Sequence, residues 1–180
     1  MNKLYGTKTE ANLLTAFSGE SQANTKYTFY AHKARKDGYN QIADIFEETA
    51  NNERAHAQIW FKYLHNNDIP ETKENLTDAI EGECFEWNNM YPEFERVARE
   101  EGFEDLAVLF KMVGDIEAEH EKRFKKLLQN VESSLVFSKD GEAIWQCLNC
   151  GNIIIGKSAP LVCPVCKQNQ AYFQIKPENY

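Results

Sequence analysis

The sequence predicts an all-α four-helix bundle followed by a small β-rich metal knuckle, with the boundary at about residue 135. Three observations predict it. Between residues 9 and 131 helix formers dominate, and apolar residues recur at three-and-four spacing with only Pro70 and Pro92 among them. Each apolar stripe is interrupted near its middle by glutamate or by glutamate and histidine. After Val131 come Ser133-Ser134, Lys139-Asp140-Gly141 and two CxxC pairs. Residues 136–180 are too few for a self-sufficient core, so a metal must staple them.

The first helix turns Leu13, Phe17, Glu20, Asn24, Tyr27, Ala31 and Ala34 inward and stops at Asp37-Gly38. The second carries Ile42, Phe46, Thr49, Glu53, His56, Trp60 and Tyr63 and ends near Asn66-Asn67. The third is expected to start at residues 75–77, which offer N-caps. It carries Ala79, Glu83, Glu86, Met90 and Phe94, with a kink at Pro92. The fourth carries Leu106, Phe110, Val113, Glu117, His120, Phe124 and Leu127. In the C-terminal part, Asp140-Gly141 reads as a hairpin turn, and Phe137, Trp145, Tyr172 and Phe173 as a small aromatic cluster.

Composition narrows the function. The chain has 180 residues, room for a medium domain and a small one. A net charge of −8 disfavours nucleic acid, whose phosphates need a basic surface. No apolar run approaches the roughly 20 residues that span a bilayer. Residues 1–6 hold no apolar signal core, so a cytoplasmic location is expected. Five cysteines there are more naturally ligands than disulfide partners.

Seven ionisable residues occupy positions where leucines belong: Glu20, Glu53, His56, Glu83, Glu86, Glu117 and His120. Buried carboxylates persist only when paired or bound to metal, and no Lys or Arg lies in the same stripes. Glu53-Arg54-Ala55-His56 and Glu117-Ala118-Glu119-His120 each put a carboxylate and an imidazole one turn apart on one helix face. Two Glu-x-x-His helices with glutamates from two others form the pattern of a carboxylate-bridged dimetal site. Its oxygen-rich donor set suits iron or manganese.

Cys147, Cys150, Cys163 and Cys166 form a tetrahedral thiolate site, with Gly151 free to take a left-handed turn. The spacing leaves zinc and iron both open. Cys84 reads as a small packed residue, and His32 and His65, lacking a glutamate three residues earlier, as surface histidines.

Taken in order, Glu20, Tyr27, Glu53-Arg54-Ala55-His56, Gly82-Glu83-Cys84-Phe85-Glu86, Met90-Tyr91-Pro92, Glu117-Ala118-Glu119-His120 and the two CxxC loops make nearly the whole chain resemble the rubrerythrins. That resemblance implies a ferritin-like bundle with a non-haem di-iron site (residues 1–135) and a rubredoxin-like domain with one iron on four cysteines (residues 136–180). It implies an NAD(P)H-linked peroxidase that reduces hydrogen peroxide to water in oxidative-stress defence. An NAD(P)H-dependent rubredoxin reductase, or rubredoxin, would donate the electrons. Carried over by position, Glu53 and Glu117 would bridge the irons, with Glu20 on one and Glu83 and His120 on the other. His56 and Glu86 would exchange on the first iron with redox state, and Tyr27 and Tyr91 would stand close behind the ligands. Glu86, His56, Tyr27 and Tyr91 are thus the candidate catalytic residues.

Two other readings compete. A ferroxidase or iron-storage protein would share the bundle but gives no reason for the thiolate site. A zinc-ribbon interaction module leaves the seven inward ionisable residues unexplained. The link between the second and third helices, residues 68–75, spans at most about 30 Å. In a ferritin-like bundle those helices run parallel, so it must return about 26 Å along the axis and about 10 Å sideways. A homodimer that exchanges helix pairs is therefore expected.

Overall fold

The computed structural model describes residues 4–178; residues 1–3, part of the stretch read for a signal core, lie outside it. The chain divides into two compact units, one ending at Pro70 and the other beginning at Glu71.

The first unit is a helical hairpin of α1 (Lys8–Lys36) and α2 (Asn40–Leu64). Thr7 caps α1, its hydroxyl accepting the Glu10 amide at 3.1 Å. Gly38, at φ 87°, permits the sharp reversal into α2. The two helices meet through small side chains: Ala31, Ala34, Ala43, Ala50 and Ala57 are all buried. The Asn24 side-chain amide crosses between them and donates to the Ala50 carbonyl at 2.7 Å.

The second unit opens with α3 (Thr72–Phe85), a π-turn (Glu86–Met90) and α4 (Tyr91–Glu100), then α5 (Glu104–Glu132). The expected start at residues 75–77 is corrected to Thr72. Glu71 and Glu74 exchange side-chain and backbone hydrogen bonds in a capping box one turn earlier. The expected kink at Pro92 is corrected to a π-turn just before it. Pro92 has no N–H to offer the Asn88 carbonyl, and the Tyr91 N–H reaches back to the Glu86 carbonyl. Ala98, Ala107 and Gly114 are the buried small residues of α4 and α5. A Cβ at Gly114 would stand 3.1 Å from the Tyr91 Cβ, so a larger residue here would push Tyr91 back by a few tenths of an ångström.

Six residues expected to face inward, Ile42, His56, Tyr63, Phe94, Leu106 and Leu127, are exposed. Alanines and Gly114 are the buried residues where the helices meet, aromatic pairs such as Phe17–Phe61 and Phe94–Phe110 flank them, and these large side chains keep an open face.

The C-terminal sheet has the order β2-β1-β3, all antiparallel, from β1 (Ser138–Cys147), β2 (Ile153–Ser158) and β3 (Phe173–Ile175). Asp140-Gly141 does not turn a hairpin. It lies inside β1, where the register with β2 shifts between Ser138 and Ala143, so the pair accommodates a bulge. The core comprises Trp145, Cys147, Ala159, Cys163 and Phe173, with Phe137 packed against it. Tyr172, expected in that cluster, is 38% exposed; its carbonyl instead accepts the Leu148 amide. The Trp145 indole N–H donates to the Gly156 carbonyl at 2.9 Å. Among the described residues no helix is long and apolar enough to cross a membrane.

Candidate metal centres

Six of the seven candidate ligands in the helices fall into two triads, one per unit. In the first, α1 supplies Glu20 and α2 supplies Glu53 and His56. The His56 Nδ1 lies 2.9 Å from Glu53 Oε2 and 3.8 Å from Glu20 Oε2. In the second, α3 supplies Glu83 and α5 supplies Glu117 and His120. The His120 Nδ1 lies 2.6 Å from Glu117 Oε2 and 3.6 Å from Glu83 Oε2. The two triads repeat one geometry because each rests on one Glu-x-x-His turn and one carboxylate from the neighbouring helix. Within each, one ligand atom per residue lies within 4.8 Å of the others, close enough to share a cation.

Charge crowding marks the second triad. Burial pushes the Glu83 carboxyl above its usual range, and the Glu117 and Glu86 charges push the same way against His120. Burial likewise raises the Tyr91 hydroxyl, reinforced by Glu86, Glu117 and Glu83. Glu86 thus lies in electrostatic reach of Glu83 and Tyr91 but stands outside the two triads. Tyr27 packs among Tyr30 and Phe46, both at 6.1 Å between ring centroids. Of the residues read as bland, His32 is exposed. His65 is half-buried, stacked on Phe61 at 4.1 Å with its Nδ1 on the Phe61 carbonyl.

The sequence reading missed Glu121. Only 5% exposed, it is the one buried charged residue among those described. Its carboxylate takes the Lys125 ammonium at 2.7 Å and the Trp87 indole N–H at 3.2 Å. Lys125, then the Cys84 thiol and the Trp87 indole, hold it below the usual carboxylate range against the cost of burial.

The four cysteines come together as the spacing predicts. Cys147 and Cys166 are 3.7 Å apart between sulfurs, as are Cys150 and Cys163. A tetrahedron with metal–sulfur bonds near 2.3 Å has edges of about 3.8 Å, so the cage fits a single ion. The two loops are near-copies. Gly151 donates to the Cys147 carbonyl at 2.9 Å, and Lys167 to the Cys163 carbonyl at 3.0 Å. Both take left-handed backbone, φ 75° and 65°. Gly151 does so as expected; Lys167, which the sequence reading passed over, is fastened by its ammonium on the Pro164 carbonyl at 2.9 Å.

Without a cation the thiols cannot share charge equally. The Gln168 amide, helped by the Asn149 side chain, brings Cys166 down to about 6. Cys150 is drawn down by the Asn152 amide, but burial and its three sulfur neighbours outweigh that and push it up to about 12. Four thiolates at this spacing require a metal.

A helical fold with two matching Glu/His triads, joined in sequence to a tetrathiolate cage, defines a ferritin-like carboxylate metalloprotein with a second, thiolate-held metal. Comparison with known proteins agrees. Residues 11–128 match the rubrerythrin family model, and residues 145–174 match that of the rubrerythrin rubredoxin-like domain. Rubrerythrin-1 of Clostridium acetobutylicum is 47% identical, with 100% of both chains covered. The rubrerythrin of Porphyromonas gingivalis is 46% identical over 100% of this chain and 96% of that protein. That of Nitratidesulfovibrio vulgaris is 41% identical over 100% of both. The chain belongs to the rubrerythrin family. Its cofactors are accordingly a non-haem di-iron centre held by Glu/His groups and one iron on Cys147, Cys150, Cys163 and Cys166. It is an oxidoreductase with the peroxidase activity typical of that family.

Proposed function

We propose that the chain is an NAD(P)H-linked hydrogen peroxide reductase acting in cytoplasmic oxidative-stress defence. An NAD(P)H-dependent rubredoxin reductase, or rubredoxin, supplies electrons to a C-terminal domain of residues 136–180. That domain passes them singly to the di-iron domain of residues 1–135. The reading is carried by one observation: two Glu/His triads and a tetrathiolate cage occur in one chain. When bound, the iron pair supplies two electrons, which with two protons turn one hydrogen peroxide into two waters. Storage alone gives the thiolate cage no task.

In this reading Glu53 and Glu117 would be shared by the two metals, Glu20, Glu83 and His120 would complete the set, and His56 and Glu86 would serve as alternative ligands. Tyr91 contributes a hydroxyl that holds its proton more tightly than usual, because burial, and then the carboxylates around it, oppose a negative charge there. As a neutral hydroxyl it would donate a hydrogen bond to peroxide, and Tyr27 takes the matching position by sequence. Metal analysis with an anaerobic peroxide titration tests the proposal. About three irons per chain are expected, with a red ferric thiolate chromophore bleached on reduction and restored stoichiometrically by peroxide. One zinc per chain with no such chromophore would remove the relay.

The functional molecule in this reading is a homodimer with exchanged helix pairs. The link supports it: between Leu64 and Thr72 only seven residues, His65 to Glu71, remain. From His56 to Leu64 is about 12 Å, and from Thr72 to Glu83 about 16 Å. A ferritin-like fold needs one long crossover, here about 28 Å along the axis and about 10 Å sideways. The link reaches about 27 Å fully extended, and its first residues are spent in a turn, with Asn67 bonded to Lys62 and Asp68 to His65.

A further inference from the structure

The π-turn at Glu86–Met90 interrupts what would otherwise be one continuous helix. A single such turn sacrifices regular hydrogen bonding and persists only where its surroundings hold it. Two contacts with α5 hold this one. At one end the Trp87 indole N–H donates to Glu121, a carboxylate buried to 5% exposure and anchored by Lys125. At the other, Tyr91 lies on Gly114, where a Cβ would come within 3.1 Å of it. Between Gly114 and Glu121 on α5 stand Glu117 and His120. Between Trp87 and its helix origin stands Glu86, whose carbonyl closes the turn by accepting the Tyr91 amide. The turn of α5 that carries two ligands therefore also grips the turn that carries Glu86.

We infer that Glu121 is a positioning residue: by holding the Trp87 indole it fixes the π-turn and so sets the direction in which Glu86 projects. Nothing in the ligand set calls for a buried carboxylate at this position, and burying one is costly unless it has fixed partners. Lys125 reaches it from the same helix, while the indole bond is the contact that ties α5 to the π-turn. The inference rests on the proposed role of Glu86 at the metal pair, and the test separates the two.

The full chain is compared with Trp87→Phe, which keeps the ring and loses the donor, with Glu121→Leu and Glu121→Gln, and with Glu86→Ala alone and combined with Trp87→Phe. Amide hydrogen exchange of residues 86–91 in the metal-free chain is expected to quicken at least about tenfold in Trp87→Phe and Glu121→Leu. Glu121→Gln, which retains an acceptor oxygen, restores the slow rate. In the iron-loaded enzyme, iron content is retained and kcat falls about tenfold in Trp87→Phe with KM unchanged. Adding Trp87→Phe to Glu86→Ala costs nothing more. Unchanged amide exchange in Trp87→Phe overturns the inference, as does a loss that adds in full to that of Glu86→Ala. If Glu86→Ala itself turns over normally, the role of Glu86 fails, while the exchange rates still decide whether Glu121 holds the turn.

Discussion

Each triad carries its chemistry in a few ångströms around one histidine, and the second is already crowded with charge. Glu83 holds its proton to a higher pH than an ordinary glutamate, through burial and then the Glu117 charge. The fold favours its protonated form, so this group's contribution to metal-free stability is lost as pH rises through the raised value. Ferrous ion binds the deprotonated carboxylate, so wherever Glu83 still holds its proton the ion must displace it. Calorimetry in buffers of different ionisation heat should count the released proton, and the count should drop in Glu83→Gln; an unchanged count would contradict the assignment. The six residues of the triads were legible in the sequence because carboxylates in an apolar stripe are an anomaly. Glu121 was not. It follows His120 directly and has Lys125 one turn on, the pattern of a solvated ion pair, and its burial depends on Trp87, 34 positions away.

The elements were legible where a local rule decides them. Gly38 ends α1 in the left-handed conformation, and the CxxC loops could hardly do otherwise. The π-turn could not be read, because whether Pro92 kinks a helix or shifts its hydrogen bonding depends on what packs against it. Asp140-Gly141 is a hairpin signal that the pairing of β1 with β2 overrides. The knuckle shows how strongly an element can depend on its ion. Cys147 and Cys163 are 1% and 0% exposed and belong to the same core as Trp145 and Phe173. Removing the iron leaves either buried charge or protonated thiols crowded at 3.7 Å. Chelation, or Cys163→Ser, should abolish amide protection in β1 while the helical far-UV circular dichroism signal persists. Retained protection in β1 would show that the sheet holds without its staple.

At the scale of the whole molecule, the sequence announced a short link, and the structure shortens it further by starting α3 at Thr72. The proposed helix exchange makes a sharp genetic prediction. Glu53→Ala and Glu117→Ala should each abolish iron-pair loading. Unfolded together and refolded as a mixture, the two variants should regain part of the peroxidase activity. In a mixed dimer with exchanged helices, one site receives both substitutions and the other receives neither. If each site is built within one chain, every site carries one lesion and the mixture stays inactive.

In the proposed exchanged dimer, the open apolar side chains of the helices, Phe94 and Leu106 among them, would also bind stability to mass action. If a second copy covers them, dilution exposes them, so the melting temperature of this protein rises with its own concentration. A newly made chain then has no finished fold until it meets another. Synthesis rate, rather than iron supply alone, would set how soon a cell commands working enzyme.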